Sequence, residues 1–169
     1  MKIQRATPRD LQRILAIQKD AFQEEAAFYG DYSIPPLMQS LQELQAEAAV
    51  KIVLKAEVGD AIAGSVRVTL SGDTCLVGRL IVDPLFQKRG IGSALLLFAE
   101  TIYPSALRYG LFTGARSAAN IRLYERLGYV RFREEALSPA VTLIYMQKHK
   151  QPAPTASALN QGQVGSAHA

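Results

Sequence analysis

From Leu80 to Ile102 the sequence passes from a β pattern, through a loop, into a helix that begins on two closely spaced glycines, Gly90 and Gly92. Ile91, Ala94, Leu95, Phe98, Ala99 and Ile102 stand at i, i+3, i+4, i+7, i+8 and i+11, the stripe of an amphipathic helix with one face to bury. Ahead of it, residues 50–57, 62–71 and 74–82 read as strands, joined by the turn signals Gly59-Asp60 and Ser71-Gly72-Asp73. Strands in hairpin succession followed by such a helix require a sheet with the helix packed on its face.

The flanking segments extend this pattern. Lys2 to Ala6 reads as a short strand, and Thr7-Pro8 as a helix start, with Thr7 as N-cap and Pro8 at the first helical position. Leu11, Ile14, Leu15 and Ile17 carry that helix toward Phe22, and Tyr29-Gly30-Asp31-Tyr32 breaks it. Residues 33–47 read as a second helix entered through Pro35 and Pro36. After the glycine loop and its helix, residues 107–113 read as a strand and 118–127 as a helix closed by Gly128. Residues 129–133 and 141–146 complete the strands. The order β-α-α-β-β-β-α-β-α-β-β predicts an α/β fold with a mixed sheet of about seven strands flanked by helices.

A chain of 169 residues fits one domain and buries a full core without disulfides or metals. The expected division is a domain over residues 1–150 and a low-complexity tail over 151–169, which has no Asp, Glu, Lys or Arg. Cys75 is the only cysteine, so zinc-finger and CxxC redox chemistry is excluded. His149 and His168 are the only histidines, which speaks against a His-based metal cluster or a Ser-His-Asp relay. No metal is expected. The apolar runs, such as 94–99, are far shorter than the ~20 residues that span a membrane. The N-terminus turns polar at once, so the expectation is a cytoplasmic protein with no membrane association. The net charge of +4 suits an anionic small molecule as well as it suits nucleic acid. No RNA-binding aromatic motif or recognition-helix signature is present, so no nucleic-acid partner is expected.

The chemistry concentrates in Gln87-Lys88-Arg89-Gly90-Ile91-Gly92-Ser93. Free N–H groups at a helix N-terminus attract an anion, glycines let it approach the backbone, and Lys88 and Arg89 add positive charge. No G-x-x-x-x-G-K-[ST] phosphate loop occurs, and the dinucleotide fingerprint fails at Leu95. The glycines alone read equally well as a tight turn.

Gln87 to Gly92 resembles the Q/R-x-x-G-x-G/A pyrophosphate signature of the GNAT superfamily of acyl-CoA-dependent N-acetyltransferases. Residues 79–84 look like that family's fourth strand. A second block, Thr113-Gly114 and then Asn120-Ile121-Arg122-Leu123-Tyr124-Glu125-Arg126-Leu127-Gly128-Tyr129, is similar to the family's N-x-x-L-Y-x-x-x-G-F/Y segment, in order and at the family's spacing. The specific motifs cover 79–93 and 113–129; the element order matches to about residue 148.

The resemblance implies a sheet splayed between its fourth and fifth strands, with acetyl-CoA as acyl donor wedged in the opening. Leu80, Ile81 and Val82 would meet the pantetheine, and one of their N–H groups would polarise the thioester carbonyl. Gln87, Lys88, Arg89, Gly90, Ile91, Gly92 and Ser93 would hold the pyrophosphate. Asn120 would contact the pantetheine arm, or serve only as an N-cap or first-turn residue. Arg116, Arg122 and Arg126 could meet the phosphates or form a solvated face. Tyr124 matches the family's general acid, the alternative being a packed ring. The family often places a Glu on the fourth strand as base; here Leu76 and Gly78 stand in those places. Glu24, Glu25 and Asp73 are the remaining candidates, and a water relay is the other option. The implied activity is direct acetyl transfer to a primary amine, small-molecule or peptide; an acyl-CoA-binding sensor with little turnover is the alternative. Phe28, Tyr29 and Tyr32 could form an aromatic wall at the acceptor, but core filling under the loop after the first helix is the favoured reading; residues 136–140 would form the loop before the last strand. A homodimer is left open.

Overall fold

In the computed structural model, which describes residues 1–152, the three expected hairpin strands form the centre of a seven-stranded sheet. They are β2 (Ile52–Val58), β3 (Ala61–Ser71) and β4 (Thr74–Val82). β1 (Lys2–Arg5) adds antiparallel to β2. β5 (Arg108–Gly114) runs parallel to β4, and β6 (Val130–Ala136) and β7 (Thr142–His149) complete the order β1-β2-β3-β4-β5-β7-β6. The proposed tail after residue 150 lies, from residue 153 on, outside the described residues.

Strand periodicity sends successive side chains to opposite faces, and helices cover both faces of the β2-β3-β4 part, while β6 is exposed along its length. Val53 and Ile81 pack with Leu11, Ile14, Leu15 and Ile17 of α1 (Leu11–Ala21) and with Leu44 of α4 (Leu41–Val50). Leu54, Val66 and Val68 pack on the other side with Ile91, Leu95, Leu96 and Ala99 of α5 (Ile91–Ala99). α6 (Ala118–Arg126) adds Ile121 and Tyr124 to this second core.

The first two helices differ from expectation. The segment expected to be one helix over 33–47 is two: α3 (Pro35–Met38) and α4, which continues to Val50. Gln39 is extended at ψ 130°, and Ser40 restarts the helix through a capping box. Its Oγ accepts the Glu43 N–H at 3.1 Å and its N–H donates to Glu43 Oε1 at 3.2 Å. A further helix, α2 (Gln23–Tyr29), ends at Gly30 and carries Glu25 toward the sheet. α2 begins immediately after α1, so the apolar stripe of α1 gave no sign of the break.

Candidate active site

β4 and β5 pair over only three residues, Thr74 with Arg108, Cys75 with Tyr109 and Leu76 with Gly110. Beyond them β4 continues against β3 while β5 continues against β7 as far as Gly114, so the two parallel strands part. β4 also bulges in this stretch. Arg67 pairs with Gly78 and Ser65 with Ile81, so Arg79 and Leu80 share one place opposite Val66. Arg79 takes φ +49°, unusual for a residue with a side chain. The bulge turns the end of β4 into the gap, and the backbone groups of β4 that would have met β5 have no strand partner there.

A cavity of about 620 Å³ opens on this gap. It is lined by Leu80, Ile81, Val82, Gln87, Lys88, Gly90, Ile91, Gly92, Ser93 and Asn120, every residue the sequence assigned to acyl-CoA except Arg89. Arg89 instead lies over the Phe86 ring, 5.2 Å from its centroid. The first helical bond of α5 runs from the Ala94 N–H to the Gly90 carbonyl, which leaves the Ile91, Gly92 and Ser93 N–H groups ahead of it. Lys88 and Gly90 both hold positive φ, +63° and +78°. Lys88, Arg116, Arg122 and Arg126 bring positive charge to the same cavity. This donor set suits a polyphosphate: backbone N–H groups at a helix start, with cations around them.

The two glycines have different reasons to be glycines. At Gly90 an added Cβ would touch nothing, but the backbone is left-handed. At Gly92 a Cβ would lie 3.6 Å from Leu123 and 3.7 Å from Val82, ordinary contact distances.

A second cavity, about 290 Å³, shares Phe22, Glu25, Leu80 and Asn120 with the first. Tyr124, Tyr29, Arg79, Gly78 and Gly114 also line it. Tyr124 is buried, its ring 6.2 Å from that of Tyr129, and its hydroxyl has no hydrogen-bond partner among the described residues. Burial, and then the charge of Glu25, push the phenol well above its ordinary value. Glu25 accepts a hydrogen bond from Ser117 Oγ at 2.9 Å. Burial raises its carboxyl pKa; the Ser117 bond and the Arg79 charge oppose that without cancelling it.

Of the other acids considered, Glu24 lines only the larger cavity, and Asp73 sits where β4 and β5 are still joined, paired with Arg108 at 3.2 Å. The three aromatics do not form a wall. Tyr29 is buried and its hydroxyl accepts the Arg116 N–H at 3.2 Å; Phe28 and Tyr32 are exposed, and Phe28 lines the larger cavity. Leu137 and Val141, at the turn between β6 and β7, reach the smaller cavity. Ser117 and Arg79, which the sequence did not single out, stand with Glu25 at these cavities. Nothing in a strand pattern marks the bulge that turns Arg79 inward.

A third cavity, about 500 Å³, meets the second at Val77, Gly78, Arg79 and Phe112. On its wall the buried Arg67 donates to Glu47 Oε2 at 2.8 Å, to Gln39 Oε1 at 3.1 Å and to Gln18 Oε1. Among the described residues, no helix is long and apolar enough to cross a membrane.

The acetyltransferase (GNAT) domain model matches residues 49–131, a span that contains β4, the glycine loop and α6. Solved structures share the fold across nearly their whole length. The PaiA N-acetyltransferase of Thermoplasma acidophilum, in complex with coenzyme A, is 19% identical with a TM-score of 0.73, over 88% of this chain and 98% of that one. The ribosomal-protein-S18-alanine N-acetyltransferase of Escherichia coli is 20% identical, TM-score 0.72, over 90% and 96%. A putative acetyltransferase of Salmonella typhimurium, YncA, with its cofactor acetyl-CoA, is 22% identical, TM-score 0.67, over 92% and 98%. No curated protein sequence matches the chain.

Proposed function

Because the chain belongs to the GNAT acetyltransferase family, we propose that it moves an acetyl group from acetyl-CoA to a primary amine by direct attack in a ternary complex. One observation carries this reading. Glu25 and Tyr124 line a small cavity that joins the polyphosphate-suited cavity at Leu80 and Asn120, so a base and an acid flank the one junction.

The residues fit acetyl-CoA. Lys88, Gly90, Ile91, Gly92 and Ser93 would hold its pyrophosphate, Leu80 to Val82 and Asn120 its pantetheine arm, and Arg116, Arg122 or Arg126 its outer phosphate. When bound it supplies an activated acyl group at the junction. Glu25, whose carboxyl pKa burial raises, takes a proton from the acceptor ammonium when ionised, directly or through water. The freed nitrogen then forms the new C–N bond at the carbonyl carbon. A β4 N–H without a strand partner, in Leu80 to Val82, steadies the charge that develops on the carbonyl oxygen. The Tyr124 hydroxyl donates at the sulfur as the C–S bond breaks. Its raised pKa keeps it protonated at working pH, and also makes it a weaker acid than a thiol of pKa about 8.5. It therefore steadies the leaving thiolate by a hydrogen bond and keeps its own proton, and the proton that the thiolate finally takes is the one Glu25 removed from the ammonium, returned directly or through solvent.

The test is a panel of amines with acetyl-CoA, followed by thiol release and by the mass of the product. An acetylated amine with stoichiometric thiol supports the reading. Tight binding of acetyl-CoA with no transfer to any amine would replace it with that of a sensor.

A further inference from the structure

Arg79 is the one guanidinium that lines both the acceptor-side cavities without a hydrogen bond or ion pair to any described residue. Its Nε is buried and unpartnered, as are those of Arg67 and Arg108, but those two have partners at their terminal nitrogens and Arg79 has none among the described residues. Its neighbour Arg67 is spent on Glu47, Gln39 and Gln18, and Arg108 on Asp73. A partly buried cation costs free energy unless something anionic meets it. The left-handed backbone at the bulge adds strain, and the Phe22 ring, 6.0 Å from the guanidinium carbon, is the flat surface it lies over. Glu25 and Arg79 face the same small cavity and feel each other's charge, yet they form no ion pair. Opposite charges that line one cavity without pairing match a ligand that carries both. Around them Ile34, Pro35, Val141 and Leu143 form an apolar stretch of the wall, beside the polar Thr113 and Asn120.

We propose that the acceptor is a small amino acid with an apolar side chain: its ammonium faces Glu25, its carboxylate is bound by the Arg79 guanidinium, and its side chain lies among Ile34, Pro35, Val141 and Leu143. The proposal rests on the transferase reading and adds the class of acceptor. A fork of N–H donors binds a carboxylate in a bidentate pair, whereas a lysine ammonium meets it as a point charge. Arg79 is thus the specificity residue. A peptide N-terminus or a polyamine has no carboxylate beside its amine and leaves the guanidinium unmet.

The test measures kcat and KM for leucine and methionine against their decarboxylated amines, 3-methylbutylamine and 3-(methylthio)propylamine. In the native protein, kcat/KM for each amino acid should exceed that for its amine by tenfold or more. In Arg79→Gln that ratio should fall to about one, chiefly through a higher KM for the amino acid, and Arg79→Lys should restore only part of it. A native ratio near one overturns the proposal. So does an Arg79→Gln variant that keeps the ratio and loses rate on both partners alike, which is the mark of a counter-charge to Glu25 and Glu47. Efficient transfer to peptides or polyamines with none to the amino acids overturns it and leaves the transferase reading standing. Acetyl-CoA binding with no transfer to any amine overturns both.

Discussion

Ser117 Oγ lies 2.9 Å from Glu25 Oε1, so the residue at the N-cap position of α6 donates to a carboxylate on α2 and does not cap its own helix. The bond joins two segments 92 residues apart. It fixes the acid at the cavity junction, and it holds down a pKa that burial drives up.

If Glu25 must be ionised to accept the proton, kcat/KM should rise with pH through a limb above the ordinary carboxylate range. Ser117→Ala removes a bond that favours the charged form, so its limb should lie higher still. The pH profile of both proteins checks this; coincident limbs would exclude Glu25 as the titrating base. Stability has a definite sign as well. The folded carboxyl pKa is raised, so between the ordinary and the raised value the folded state binds the extra proton. Stability therefore falls as pH rises through that window. Glu25→Gln should melt higher than the native protein at neutral pH, and the difference should vanish in acid below the ordinary carboxylate pKa.

A Cβ on Gly114 would overlap the Tyr29 hydroxyl and lie 2.9 Å from Glu25 Oε1. Gly114→Ala should cost about 1–3 kcal/mol, the range for forcing extra volume into packed structure. It should also lower the rate, since whatever moves to admit it carries Glu25. Tyr29→Ala in the same chain should recover part of the loss, a coupling that a double-mutant cycle of melting temperatures reads directly.

The sequence made the sheet and the cavity at the glycine loop legible and left the smaller cavity beside Tyr124 mostly hidden. Periodicity located every strand, because neighbours such as Val53 and Leu54 go to different cores while Val66 and Val68, two residues apart, share one. The glycine loop was legible because its chemistry is backbone chemistry. The base was not. Three acids were candidates, and only the break between α1 and α2 decides that Glu25 turns inward while Asp73 stays with Arg108. Arg79 was hidden for a related reason: one extra residue in β4 redirects every side chain after it, and no composition signal marks the place.

Gly90 and Gly92 should respond differently to the same methyl group. Gly90→Ala strains a residue at φ +78°, by about 1–2 kcal/mol, and turns the N–H groups at the helix start. Acetyl-CoA binding should weaken by tenfold or more. Gly92→Ala places its methyl against Leu123 and Val82 at ordinary distances and should leave the melting temperature within a few degrees. Gly92→Val pushes two further carbons into that contact and should lower both stability and affinity. Calorimetry of acetyl-CoA binding, beside thermal melts, separates the three. Equal affinities in Gly90→Ala and the native protein would remove the loop from the pyrophosphate site.

Tyr124→Phe isolates the phenol. The ring stays, so its packing with Ile121 and Tyr129 persists and the fold should lose little. The hydroxyl has no partner among the described residues, so its removal leaves no donor or acceptor unmet. Only the hydrogen bond to the leaving sulfur is lost. General acid catalysis contributes about 10²–10⁴-fold, and a thiolate leaves readily enough near neutral pH to place this case at the lower end. kcat should fall about 100-fold while the acetyl-CoA Kd stays within about threefold. Acceptors can sharpen the test. If the phenol acts on C–S cleavage, a more basic amine should not rescue the variant, whereas a donor with a more acidic thiol should. Acetyl thioesters of graded thiol pKa supply that series, and log kcat against thiol pKa should be steeper for the Phe variant than for the native protein. Parallel lines, or a kcat within about twofold of native, would return Tyr124 to a packing role.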